Sequence, residues 1–386
     1  VSARPAHAEL ERRLLDTGAM APEWAGAFRA VPRSGFLPET MWPFDTASGQ
    51  SLTVDRRTDP EAWYRWADAD VPITTQWDDG RHVGPGPGHV YTSSASMPSV
   101  VFGMLRDLDV RPGMRVLEIG TGTGWTAALL SHRLGGQWVT TVEVDPDVAE
   151  QASANLRRAG CSPRVVIADG ATGCRDNAPY DRVIATCGMR RIPPEWIGQT
   201  RPGGIVLVPW GTDYSQRDAL ALLVVAADGA SARGRFTGPA QFMKARSQRL
   251  VWPRHEEYVT DWPGEVSTTP LARRDLVSDD PYGITEFALG LLVPDCTHTV
   301  HDQGDVSTAW FYGLTDSSWA AVRFTGEGDA EVYQGGPRRL WDEVEAAWRR
   351  WDGQGRPGWD RLGLTVTAEG EHLLWVDAPG RVLSGG

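Results

Sequence analysis

A chain of 386 residues with 41% hydrophobic content is long enough for two domains with ordinary cores. No apolar run approaches about 18 residues, and the N-terminus lacks a basic region followed by an apolar one. The sequence therefore predicts no membrane span, no signal peptide and a cytoplasmic location. A formal charge of −12 argues against nucleic acid as a partner, because phosphate binding needs an excess of Lys and Arg.

The charge is unevenly placed. Residues 251–386 carry 11 Arg against 23 Asp and Glu, so the whole acidic excess lies there and residues 1–250 balance. Nine of the 18 tryptophans also fall in that part. With the Pro-bearing stretch "VWPRHEEYVTDWPG", this shift predicts a linker near 245–265 between domains 1–250 and 251–386. Cys161, Cys174, Cys187 and Cys296 form no C-x-x-C pair, so they read as reduced thiols and no metal site is expected. Lys244 is the one lysine among 38 basic residues.

In chain order, the segment at about 45–90 holds Trp63, Trp66 and Trp77, which predict a small local core, and a Gly-Pro repeat at 84–88 that should be extended and exposed. "SASMPSVVFGMLRDL" (94–108) predicts a helix containing Val100 to Leu108, with Ser96 placed to cap it. In "RVLEIGTGTGWTAALL" (115–130), Val116, Leu117 and Ile119 read as a buried strand, and Ala127 to Leu130 as helix. The turn between them spaces Gly120, Gly122 and Gly124 as G-x-G-x-G, not the G-x-G-x-x-G of dinucleotide sites. Glu118 stands two residues before the first glycine, where a carboxylate would repel a pyrophosphate but suits an ammonium and a sulfonium. The ligand so indicated is S-adenosylmethionine, with S-adenosylhomocysteine as product. A purely structural glycine turn is the plainer alternative.

The next segments favour the cofactor. Trp138 to Val144 reads as a second strand, with Glu143 about 20 residues past the glycines, placed to accept from ribose hydroxyls. "RVVIADG" reads as a third strand ending in Asp169 and Gly170, placed for the adenine amino group, and "YDRVIATCG" as a fourth. Asp145, Asp147 and Asp181 read as turn or solvated residues. The expected cofactor set is Glu118, Gly120, Thr121, Gly122, Gly124, Glu143, Asp169 and Gly170. The fold class is α/β, a Rossmann-like S-adenosylmethionine-dependent methyltransferase fold with a smaller C-terminal α+β module. In that module Leu340, Val344, Trp348 and Trp351 recur at helical spacing up to Gly353, a stripe expected to pack on its own domain, between strand-like "WAAVRFT" and "GLTVTAEGEHLLWVD". An acidic, Trp-rich surface there would suit a basic or aromatic peptide.

"VPRSGFLPE" (31–39), "SASMPSVVFGMLRDL", "VLEIGTGTGW", "ADG" (168–170) and "IPPEWIGQTRPGGIVLVPWG" (192–211) follow in the order seen in protein-L-isoaspartate O-methyltransferases. The chain resembles that family over roughly residues 10–211. The family's Thr-Ile-Ser-Gln-Pro segment aligns with Ser94, Ala95, Ser96, Met97 and Pro98. The resemblance gives Ser96 a place beside the transferring methyl and the acceptor carboxylate, and lets Ser94 take the threonine's hydrogen bond. Met97 has no amide to replace the family's glutamine. Against the usual family length, residues 45–90 are an insertion expected to shape access to the site, and residues 251–386 are an added module.

"WDDG", "FMKARSQR" (242–249) and "GRPGWDRLGLTVTAEGEHLLWVDAP" further resemble a subgroup encoded with ATP-grasp macrocyclases. That resemblance implies methylation of an aspartate in a ribosomally made, cyclised precursor peptide, followed by closure to an aspartimide. Two alternatives are repair of isoaspartate in damaged proteins and a non-catalytic peptide-binding protein on this scaffold. The retained Glu118, Glu143 and Asp169 argue against the last.

Overall fold

Short runs of wholly buried aliphatic residues, such as Val116, Leu117 and Val183, are the pattern of parallel strands covered on both faces. They build the first of two units in the chain, whose computed structural model describes residues 4–326 and 328–383. The first unit takes residues up to Cys187, Pro193–Leu207 and Val224–Ala230; the second takes Gly188–Ile192, Val208–Leu223 and the chain from Ser231. The outermost residues of both predicted domains, 1–3 and 384–386, lie outside the described residues.

In the first unit the strand Val116–Ile119 lies between Val139–Glu143 and Tyr180–Ala185, all parallel; Arg164–Ile167 joins beyond Val139–Glu143, and the start of Thr200–Trp210 joins beyond Tyr180–Ala185. Helices Trp125–Leu134 and Pro146–Arg158 link the first three. The second of these helices starts where Asp145 accepts from the Asp147 and Val148 N–H groups, and Asp181 accepts from Arg115 N, so these two acids serve the turns as expected. Glu118, Glu143 and Asp169 stand at or just beyond the carboxyl ends of neighbouring parallel strands, where open α/β sheets bind ligands.

The insertion folds as a small antiparallel sheet, with Ile73–Trp77 between Thr40–Asp45 and Tyr91–Ala95, and a helix, Pro60–Ala67, capped by Asp59. Its core is Met41, Val54, Trp63, Ala67, Ile73 and Ala95, with Trp66 packed at the edge, while Trp77 is buried edge-on to Trp42 and Tyr91. The tryptophans thus form local packing. The Gly-Pro stretch is largely exposed but tied down, since Pro85 O accepts from Trp42 Nε1 (3.0 Å) and Thr53 Oγ1 (2.8 Å).

The second unit is richer in sheet than the sequence suggested. Strands Asp218–Val225, Ser231–Ala240, Leu362–Thr367 and His372–Val376 follow one another in one sheet, the last two pairings antiparallel, and the first strand crosses from the second unit at Leu223 to the first at Val224. A separate five-stranded sheet runs Glu265–Thr269, Ala330–Gly335, Trp319–Phe324, Val306–Gly313, Cys296–Gln303. Helix Leu340–Gly353 packs Leu340, Trp341, Val344 and Ala347 on one face of it, and Trp348 joins that core from its edge.

This arrangement places the change of unit before residue 250. Ser231–Ala240 pairs with Leu362–Thr367, so residues on either side of the compositional break share one sheet. The segment read as a linker is partly built in: Tyr258 is buried against Tyr312 and Trp319. Composition changes at 250 because the later strands are acidic and Trp-rich, whereas packing follows strand pairing. All four cysteines are free. Among the described residues no helix is long and apolar enough to cross a membrane, and no group of His, Cys, Asp and Glu is arranged to hold a metal ion.

Candidate functional site

The glycine turn needs its glycines. Gly120, Gly122 and Gly124 have φ of 93°, 53° and 88°, a region costly for residues with a Cβ. A Cβ on Gly122 would lie 3.4 Å from Ser94 O, so the turn and the serine segment are in close approach. A methyl group on Gly170 would collide with Ile119 Cγ2, which brings the Asp169–Gly170 turn against the strand that carries Glu118. The structure thus gathers the glycine turn, Ser94, Glu118, Glu143 and Asp169 at one end of the parallel sheet.

Glu118 is fully buried. Its Oε2 accepts from Thr141 Oγ1 at 2.7 Å, and Thr141 Oγ1 lies 2.7 Å from Thr121 Oγ1. Since Thr141 gives its proton to Glu118, Thr121 donates to Thr141. Oε1 of Glu118 has no hydrogen-bond partner among the described residues, and burial pushes the carboxyl up to about 8. Glu143, also buried, accepts at Oε2 from Gly122 N (2.9 Å) and at Oε1 from Val144 N (2.9 Å) and Asp145 N (3.1 Å). Burial raises its carboxyl too, against the pull of these three N–H groups. A carboxylate offers about four acceptor positions, so one remains. Asp169 is exposed; one oxygen caps Ala171 N at 2.9 Å, leaving the other open.

Ser96 departs from one expectation. The helix runs Pro98–Leu108 with Met97 at the cap position and no side-chain cap from within the turn. The capping contact comes instead from Asp70, whose Oδ1 accepts from Ser99 N at 2.8 Å. Pro98 pushes the helix start one residue beyond the reach of Ser96. The hydroxyls of Ser94 and Ser96 make no hydrogen bond to the described residues, and both side chains are half-buried.

Several residues that hold the site were not singled out in the sequence. Arg33, buried in the 31–39 segment, donates to Ala69 O (3.1 Å), Val71 O (2.9 Å) and Ala95 O (2.9 Å), so it fixes the peptide between the two serines. Burial lowers its guanidinium to about 9. Thr186 Oγ1 donates to Gly120 O at 2.5 Å, and Trp196 Nε1 to Gly170 O at 2.8 Å. Gln76 of the insertion reaches Asp145 Oδ2 at 3.2 Å and accepts from Thr92 Oγ1 at 2.8 Å. Val144 is 40% exposed beside Glu143, an apolar surface at a strand end. A usable signal was the buried-type Arg in "VPRSGF"; the others depend on long-range contacts.

A parallel sheet with this glycine turn and acids at successive strand ends is the fold of the S-adenosylmethionine-dependent methyltransferases. A family model, Protein-L-isoaspartate(D-aspartate) O-methyltransferase (PCMT), matches residues 6–231, and the chain belongs to that family. The Pyrococcus horikoshii protein-L-isoaspartate O-methyltransferase is 39% identical over 129 residues, 33% of this chain and 58% of the relative. The Methanococcoides burtonii protein of the same name is 33% identical over 190 residues, 49% of this chain and 76% of the relative. The chain spans about three fifths of the length of several curated relatives it matches, as for Hyperthermus butylicus at 61%. A solved structure named protein-L-isoaspartate O-methyltransferase aligns with 96% of this chain and 100% of its own, at 23% identity and a TM-score of 0.55. A fold of nearly this whole extent therefore occurs under that name, and added length alone does not set this chain apart.

Proposed function

We propose that the chain is a carboxyl O-methyltransferase acting on a peptide or protein, with S-adenosylmethionine held by Glu118, Gly120, Thr121, Gly122, Gly124, Glu143, Asp169 and Gly170. The observation that carries this reading is the unpaired, buried Glu118 oxygen beside a glycine turn that touches the serine segment. A buried carboxyl left without a partner fits a ligand bearing a cation. Such a cofactor supplies an electrophilic methyl group on sulfur, which an acceptor carboxylate oxygen takes by displacement. Ser96, with Ser94 beside it, orients one acceptor oxygen by donating a hydrogen bond, while Arg33 and Asp70 fix the turn that carries them. No strong base is required, because the acceptor is already ionised at neutral pH. Positioning and exclusion of water are the chain's contribution.

The acceptor in this reading is an aspartate of a cyclised, ribosomally made precursor peptide. Its methyl ester is attacked by the next backbone nitrogen, methanol leaves, and an aspartimide forms. Met97 in place of the family's glutamine, and the insertion fastened beside the site through Gln76 and Asp145, support an acceptor other than generic damaged protein. Repair of isoaspartate is the second reading, favoured by the solved structure that shares nearly the whole extent of this chain. Mass spectrometry on cyclised precursor, linear precursor and a short isoaspartyl peptide separates them. The first reading expects the cyclised precursor to end one water lighter and to react fastest. A best rate on the isoaspartyl peptide with an inert cyclised precursor replaces it by repair.

A further inference from the structure

The five-stranded sheet of the second unit ends differently at its two edges. At Cys296–Gln303 the outer side is engaged: His298 N donates to Tyr214 O at 3.1 Å, and Asp302 meets Arg273 at 3.7 Å. At the other edge, Glu265–Thr269 pairs only with Ala330–Gly335, and its outward backbone groups have no partner among the described residues. Four of its five residues are exposed. An edge of β-forming residues without Lys, Pro or a bulge inside it is a template for another strand.

Beside this edge stands a held aromatic surface. Val266 is 56% exposed and lies opposite Tyr333 in the register. Trp262, 54% exposed, stacks on Tyr333 with centroids 4.6 Å apart and on Trp319 at 5.8 Å. Its ring is fixed before any partner arrives, which lowers the entropic cost of using it.

The charge around the edge selects the partner. A cavity of about 480 Å³ at the strand's start is lined by Asp261, Glu265, Gln334, Arg338 and Arg339, among others. The two arginines are spent internally: Arg339 pairs with Glu265 and Asp342, and Arg338 with Glu343. Asp261 has no ion pair among the described residues. Glu256 and Glu257 precede it, Glu257 meeting Arg254 at 3.4 Å, and Glu331 on the aromatic face meets Arg323 at 3.4 Å. The balance is acidic, as in residues 251–386 as a whole.

We propose that the outer edge of Glu265–Thr269 docks an extended, basic segment of the peptide substrate as a sixth strand, with alternate side chains on Val266 and Trp262 and a basic side chain at Asp261. This rests on the peptide-substrate reading above and adds the place where the peptide is gripped. Backbone pairing would give affinity, and the aromatic and acidic side chains would select sequence.

The test uses the full chain and a short capped peptide alternating arginine and valine, with a glutamate–valine peptide as control, followed by calorimetry. The arginine–valine peptide should bind and the control should not. Trp262→Ala and Asp261→Asn should each weaken binding about tenfold. Of Val266→Pro and Ser267→Pro, the one whose N–H faces outward should abolish it. Equal binding of both peptides, or unchanged affinity in Trp262→Ala and Asp261→Asn, overturns the proposal even if the proline variants fail to fold. A dimer, seen by light scattering, that is lost in these same variants also overturns it, because the edge then pairs with a second copy. S-adenosylhomocysteine binding, measured in parallel, separates the two readings: if it persists while the peptide fails, docking alone is wrong; if the unmodified chain lacks it, the methyltransferase reading fails.

Discussion

Two buried carboxylate sites, one in each unit, are held differently. In the first, Glu118 and Glu143 are held by a threonine hydroxyl and backbone N–H groups, with no cation paired to either among the described residues. In the second, Asp218 is equally buried but is paired with Lys244, packed where Gly188 and Gly211 leave room. Burial raises Asp218 and lowers Lys244, and their mutual attraction opposes both shifts. Asp218 has a cation at one oxygen while its Oδ2 is left without a hydrogen bond, and Glu118 has no cation at either oxygen among the described residues.

The largest expected effect tests the Asp218–Lys244 pair. Lys244→Met leaves Asp218 buried and unpaired and should cost about 3–5 kcal/mol of stability by denaturant unfolding. An unchanged midpoint would show that the pair does not hold the second unit.

Ser96→Ala tests the first unit. Losing a hydrogen bond to a charged acceptor, about 1.5–3 kcal/mol, should slow methylation roughly 10- to 150-fold. Affinity for S-adenosylhomocysteine should stay within about 0.5 kcal/mol, because the lost bond orients the acceptor. Unaffected turnover would show that Ser96 does not orient the acceptor.

The smallest effect is a slope with pH. Glu118 titrates near 8 in the folded chain against an ordinary value of 4.5, so the folded state holds a proton that the unfolded state has released. Its contribution is complete below the ordinary value and is lost as pH rises through about 8. The ligand-free chain should lose on the order of 1–2 kcal/mol between about pH 6 and 8, and Glu118→Gln should flatten that part of the profile. Equal slopes in the two proteins would mean that Glu118 finds a partner on ionisation.

How much of this was legible follows from contact range. The strand carrying Glu118 and the acids after it could be read because a glycine turn, apolar runs and strand-end carboxylates are local patterns; the second strand was placed at Trp138–Val144 and lies at Val139–Glu143. Of the stripe ending at Gly353, Leu340, Val344 and Trp348 pack on the sheet of their own unit for the same reason, while Trp351 lies outside that core. The helix cap at Asp70, the grip of Arg33 on Ala95 and the pairing of Ser231–Ala240 with Leu362–Thr367 join residues far apart in sequence, and no local pattern announces them. Composition marked a boundary at 250 because it counts residues without knowing which strands pair.

Whether the buried acids of the first unit hold the cofactor is decided by calorimetric titration of S-adenosylhomocysteine into the unmodified and Glu143→Ala chains. Affinity in the variant should be weaker by about 1.5–3 kcal/mol, the range for hydrogen bonds to a charged group. Equal affinity in the two proteins would contradict that role of Glu143.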